Sequence, residues 1–96
     1  MHNSSLRIVE TPRFKEEAEQ LFGPGPCGPL IGLTWALRRK PFFGQEVKGS
    51  DLRVSVLYLG GFAYLVYYVV AADSVTLESV VKRKTPIAPG PLGLES

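Results

Sequence analysis

Apolar residues change their spacing twice along this chain, and each change marks a boundary between elements. Leu6 and Ile8 make a short extended segment that ends at Thr11-Pro12, where a hydroxyl N-cap followed by proline at the first helical position opens a helix. Phe14, Ala18, Leu21 and Phe22 then recur at helical spacing, with Lys15, Glu16, Glu17, Glu19 and Gln20 on the other faces. Gly23 to Pro29 cannot continue that helix, since its prolines lack amide donors and its glycines cost backbone entropy. Leu30, Ile31, Leu33, Thr34 and Leu37 resume a helical stripe, which runs into Arg38-Arg39-Lys40 and stops at Pro41. The two stripes predict an αα-hairpin.

From Leu52 the period becomes two, with Val54, Val56 and Tyr58 alternating against Arg53, Ser55 and Leu57. Gly60-Gly61 supplies the positive φ angles of a tight hairpin turn. Phe62 to Ala71 is apolar on both faces, as a central strand is, and Asp73-Ser74 turns the chain into a third strand from Val75 to Arg83. The expected fold class is α+β: an N-terminal strand and a helical hairpin packed on an antiparallel meander, in one domain over residues 1–96. From about Thr85 the prolines and glycines predict an irregular tail without a helix.

These turns fix an expected register. Centring the first on Gly60-Gly61 sets Ser55 against Val66 and Arg53 against Tyr68; centring the second on Asp73-Ser74 sets Tyr68 against Ser79 and Tyr64 against Arg83. One face then carries Arg53, Ser55, Tyr64, Tyr68, Ser79 and Arg83, and the other carries Val54, Val56, Leu65, Tyr67, Val69 and Val80 as the expected core face. Guanidiniums at the rims with tyrosines between them suit single-stranded RNA, cations on phosphate and rings on bases. The same residues also read as solvated rim charges, because patterning reports burial rather than chemistry.

Composition narrows the chemistry. A net charge of +2 is too small to mark the whole domain as a nucleic-acid binder, so any basic site is local. One cysteine and one histidine exclude an internal disulfide and a zinc site of ordinary ligand count. No large cofactor is expected in a chain of this length, and no metal. Gly61 to Ala72, the longest apolar run, is too short to span a membrane. The expected setting is the cytoplasm.

Read in order, Ile8-Val9-Glu10-Thr11-Pro12, the helical hairpin, Pro41-Phe42-Phe43-Gly44, Val47-Lys48-Gly49, Leu52-Arg53, Val66-Tyr67 and Lys82-Arg83 resemble the RelE/ParE superfamily of toxins from bacterial toxin–antitoxin pairs. The resemblance covers roughly Leu6 to Lys84 and rests on order and spacing rather than on one motif. It implies, for RNA-cleaving members, a basic sheet face that binds mRNA on the ribosome and assists attack of a ribose 2′-hydroxyl on its own phosphate. Arg53 matches the basic position on the second strand of the meander-bearing pattern, Arg83 the one ending the last strand, and Tyr67 the tyrosine of the central strand. Two positions depart from the family pattern: Tyr64 stands where an arginine is usual, and Ser55 where a lysine often is.

The resemblance thus implies a candidate catalytic set of Arg53, Arg83, Tyr64 and Tyr68, with Lys48, Ser55, Lys82, Lys84, Arg38 and Arg39 as RNA contacts. Arg38-Arg39-Lys40 is read first as a helix cap. A toxin of this kind implies a cognate antitoxin, and Leu30, Leu33, Trp35 and Leu37 are the residues expected to meet it, although a tryptophan here more often packs a helix on its sheet. A member that binds DNA gyrase without cleaving RNA does not need the catalytic constellation. That reading, and a degenerate inactive member, stand beside the endoribonuclease.

Three features read as structural. Gly23 to Pro29 lacks the amide donors of a phosphate loop, Cys27 has no histidine in its neighbourhood of sequence, and His2 sits at the terminus.

Overall fold

The computed structural model describes residues 6–83. Lys84, the tail expected to be irregular, and His2 lie outside the described residues. The elements follow the predicted order: β1 (Arg7–Glu10), α1 (Pro12–Phe22), α2 (Gly28–Arg39), β2 (Gln45–Glu46), β3 (Leu52–Leu59), β4 (Phe62–Val70) and β5 (Ser74–Lys82). They build a mixed five-stranded sheet in the order β1-β5-β4-β3-β2, with the helices on one face. The α+β class and the meander stand as expected. Two strand contributions do not appear in the pattern reading: β1 pairs parallel with β5, and the two-residue β2 adds to β3.

Helix α1 starts as its sequence dictates. The Thr11 hydroxyl accepts from the Phe14 amide at 3.0 Å, and Pro12 occupies the first turn. Helix α2 begins earlier than its apolar stripe, at Gly28, because proline at Pro29 is tolerated in a first helical turn.

Gly60 and Gly61 both have positive φ, and the β3–β4 register is the expected one: Arg53 opposite Tyr68, Ser55 opposite Val66. The β4–β5 register differs. Asp73 gives its carbonyl to the Arg7 amide of β1 and the Ala71 amide donates to the Ser74 carbonyl, so the loop is Ala72-Asp73 and β5 begins one residue early. Tyr68 therefore faces Leu77, and Tyr64 faces Lys82 after a bulge next to Tyr67 and Tyr68.

The faces of β3 and β4 are also the reverse of the expected ones, whereas Val80 of β5 lies in the core as expected. Ser55, Leu57, Tyr64, Val66, Tyr68, Val75, Leu77 and Val80 lie against the helices with Phe14, Leu30, Leu33 and Leu37, and all are buried. Val54, Leu65, Tyr67 and Val69, expected in the core, are half-buried on the opposite face, and Val56 is exposed. The deciding strand is β5, which lies beneath α1 and beside β1. There Val75 and Leu77 alternate with the polar Thr76 and Glu78, and turning that pattern over would put a carboxylate under the helix. Strand β4 is apolar both ways and follows.

The bulge is held from above by α1. An extra residue in a strand frees ladder groups that need other partners. The Glu78 carbonyl accepts from the Thr11 hydroxyl at 3.2 Å, and the Val80 amide donates to the Glu17 carboxylate at 3.0 Å. The Ser79 hydroxyl donates to the same carboxylate oxygen at 2.7 Å, and Arg13 donates to the other oxygen at 3.2 Å. Burial raises the Glu17 carboxyl, but the bonds from Ser79, Val80 and Arg13 outweigh it and hold it below its ordinary value of 4.5.

A carboxyl whose folded value is depressed stabilises the fold above its unfolded value, and that stabilisation disappears as pH falls through the folded one. Glu17→Ala should therefore cost about 1–3 kcal/mol at neutral pH by leaving the Val80 amide and Ser79 hydroxyl unpaired. Glu17→Gln, which keeps an acceptor, should cost less. Urea denaturation at neutral pH and below 4.5 checks this. The gap between wild type and Glu17→Ala should narrow in acid; an equal gap at both pH values would contradict it.

Candidate functional site

The segment after α2 returns to the sheet through Pro41-Phe42-Phe43-Gly44 and becomes β2. Glycine is required at the close approach: an added Cβ at Gly44 would lie 2.6 Å from the Tyr68 hydroxyl and 2.6 Å from the Val54 carbonyl oxygen. The Gly44 amide donates to the Tyr68 hydroxyl at 2.8 Å. Arg53 fastens the same loop from the strand below. One of its terminal nitrogens donates to the carbonyls of Gly44 at 2.7 Å and Phe42 at 3.3 Å, the other pairs with Glu46 at 3.2 Å, and the guanidinium sits 4.8 Å from the centre of the Phe42 ring.

This arrangement bears directly on the candidate catalytic set. The Arg53 guanidinium is turned to backbone carbonyls and a carboxylate, and its side chain is only 19% exposed. Tyr68 is fully buried up to its hydroxyl. Burial raises its phenol above 10.0, which the Gly44 bond and the Arg53 charge only moderate, so it remains protonated at neutral pH and is no general base there. Tyr64 is buried with its ring 5.0 Å from that of Phe22 in α1, and Ser55 is buried beneath the helices. Both were expected on an RNA-facing surface, and both belong to the core.

Arg83 is exposed, and its amide donates to the Ala63 carbonyl, whereas Arg53 stands opposite Tyr68. Five residues of β4 separate those partners, roughly 17 Å at about 3.4 Å per residue, and their opposite parity puts them on opposite faces. The expected pairing of the two arginines on one face is thus not realised. Lys82 is exposed with its ammonium 3.9 Å from the centre of the Phe62 ring, and Lys48 is exposed in the loop before β3.

On α2 the expected surface divides. Leu30, Leu33 and Leu37 are core residues, 9%, 8% and 0% exposed; Leu33 and Leu37 offer an antitoxin no surface, while Leu30 also lines the open cleft beside the helix. Trp35, expected to meet the antitoxin or else to pack the helix on its sheet, is 56% exposed, with the Arg39 guanidinium 5.8 Å from the centre of its ring. Arg38 donates through Nε to the Leu6 carbonyl at 3.0 Å, tying the helix end to the strand segment. Phe42 and Phe43 are 64% and 62% exposed and stood in the sequence only as part of a motif. Their flanking Pro41 and Gly44, which force a turn, are the signal that places them outside any packed element.

No family model matches the chain, and no curated protein matches it. Among solved structures it is similar to a conserved hypothetical protein, HP0894, from Helicobacter pylori, determined in solution: 17% identity over 81% of this chain and 94% of that one, with a TM-score of 0.49. A likeness of that degree carries no function across.

The loop contact makes a stability prediction. Gly44→Ala should destabilise by about 1–3 kcal/mol through overpacking, and Tyr68→Phe by about 1–3 kcal/mol through an unpaired Gly44 amide. The double variant should lose less than the sum, since the phenylalanine lacks the oxygen that an added methyl would strike. Thermal melting of the four proteins tests this; strict additivity would contradict a shared contact.

Proposed function

We propose that this chain is the toxin member of a RelE/ParE-like toxin–antitoxin pair, working in the cytoplasm, and that it acts by binding its target rather than by cleaving RNA. The observation that carries the second part is the use of Arg53. Stabilising a phosphorane requires donors aimed at the place where charge develops, whereas these donors are aimed at the carbonyls of Phe42 and Gly44 and at Glu46. The burial of Tyr64 and Tyr68 and the distance to Arg83 support the same reading. Of the targets that the resemblance implies, DNA gyrase therefore fits better than mRNA on the ribosome.

For the antitoxin, support comes from the helical hairpin. A cleft of about 550 Å³ opens between α1 and α2, with Ile8, Ala18, Phe22 and Ile31 on its walls and Lys15 and Glu19 among its polar lining. It suits the apolar side chains of a segment that folds on binding, with the exposed Trp35 on the same helix extending the contact. No described helix is long and apolar enough to cross a membrane.

Induced expression in growing cells tests the reading. Growth should stop with supercoiling by gyrase inhibited and translated mRNAs intact, and Tyr64→Phe and Arg83→Ala should leave inhibition in place. Cleaved mRNA that disappears in the Arg83→Ala variant would contradict it and restore the endoribonuclease.

A further inference from the structure

Both helices pack on one face of the sheet, and among the described residues no element covers the other. A sheet face left in water is ordinarily polar, and this one is not. The register sets its residues side by side: Leu52 with Val69, Val54 with Tyr67, and Val56 with Leu65, which meets Val81 on the next strand. Val56, Tyr58 and Val81 are 41%, 65% and 43% exposed, and the others are half-buried with no helix above them. Apolar surface in water is unfavourable by about 25 cal/mol per Å², so a continuous patch of it marks a place of contact.

The patch is complementary to itself. Val56, Leu65 and Val81 stand in one row across three strands. Two residues to one side of that row β4 carries Tyr67, and two residues to the other it carries the small Ala63; on β3 the same levels hold Val54 and Tyr58. A half-turn about the row sets Ala63 of one copy against Tyr67 of another, and Tyr58 against Val54, so that large side chains meet smaller ones. The charges obey the same symmetry. Glu78, the extra residue of the bulge, stands between the levels of Tyr67 and Tyr68, and Arg83 is bonded to Ala63. Their levels on β4 are roughly 15 Å apart at about 3.4 Å per residue, too far to pair within one chain. The half-turn brings Glu78 of each copy toward Arg83 of the other.

We propose that this open face is the contact between two copies of the chain, packed sheet on sheet about a two-fold axis through Val56, Leu65 and Val81. Stacked sheets lie about 10 Å apart with their side chains interdigitated. A two-fold contact uses one patch twice, which is why self-complementarity selects a second copy over an unrelated partner. The middle of the face carries no cation, which disfavours a polyanion. Four strands at about 4.8 Å spacing and eight residues at about 3.4 Å cover roughly 500 Å² of flat sheet, before the relief of the side chains is added. That approaches the roughly 600 Å² per partner of the smaller specific interfaces. The contact leaves the cleft between the helices open and does not depend on the toxin reading.

Sedimentation equilibrium of the full chain, from micromolar to millimolar concentration, reads the association directly, and the dimer should dominate at the upper end. Leu65→Lys places two ammonium groups on the axis and should raise the dissociation constant about a hundredfold. Glu78→Arg and Arg83→Glu should each raise it about tenfold by facing like charges across the contact, and the two combined should restore it. Circular dichroism matched to the wild type separates lost association from lost folding; if Leu65→Lys does not fold, the charge reversals decide alone. A monomer at every concentration would overturn the proposal, whatever other protein covers the face. So would a dimer that Leu65→Lys leaves intact, or a double reversal no tighter than the single ones.

Discussion

The Arg53 guanidinium joins three parts of this molecule that the chain itself keeps apart. It rises from β3, closes on the carbonyls of Phe42 and Gly44, and pairs with Glu46 on the short edge strand. Bonds from an ionised donor are the stronger kind, and the limited exposure of this one reduces competition from water. Beside it, the Tyr68 hydroxyl brings the buried centre of the sheet into the same loop through the Gly44 amide. The position of β2, the presentation of Phe42 and the outer edge of β3 all follow from this fastening.

The consequence for function is one of availability. A guanidinium that organises its own backbone is not free to organise a phosphate, and a phenol whose ring fills the core reaches the surface only as the acceptor of one backbone bond. Chemistry that needs mobile or solvent-facing groups at Arg53, Tyr64 and Tyr68 would have to dismantle the packing that holds the sheet together. Recognition needs no such change. The exposed groups lie elsewhere: rings and cations at the end of α2, an open cleft between the helices, and Lys82 and Arg83 at the end of the sheet.

Much of the fold is legible in the sequence because several signals agree. Thr11-Pro12 starts a helix, Gly60-Gly61 makes a turn, and the β3–β4 register follows from that turn down to individual pairs such as Arg53 with Tyr68. What the pattern does not contain is the choice of face. Strand β4 is apolar at every position but for its tyrosine hydroxyls, and β3 places valines on the side that stays open, so these two strands give no direction or the wrong one. The direction comes from Thr76 and Glu78 in β5, and reading it requires knowing that the turn ends at Asp73 and that a bulge follows. Both of those depend on contacts remote in sequence: Arg7 on Asp73, and Thr11 and Glu17 on the bulge. The candidate site fails to assemble for the same reason. Arg53, Ser55, Tyr64 and Tyr68 do share a face, but it is the one the helices cover; the bulge in β5 moves Arg83 to the other, and the partners of Arg53 are mostly backbone carbonyls, which no pattern of side chains reveals.

The central claim is that Arg53 is a structural fastener of the loop between α2 and β3. Hydrogen exchange at the Gly44 amide tests it most directly, because that amide is bonded to Tyr68 only while the loop is held down. Wild-type protein should protect this amide, and Arg53→Ala should expose it to exchange while amides in the middle of β4 remain protected. Equal protection of Gly44 in both proteins would contradict the account and release Arg53 for a role in chemistry.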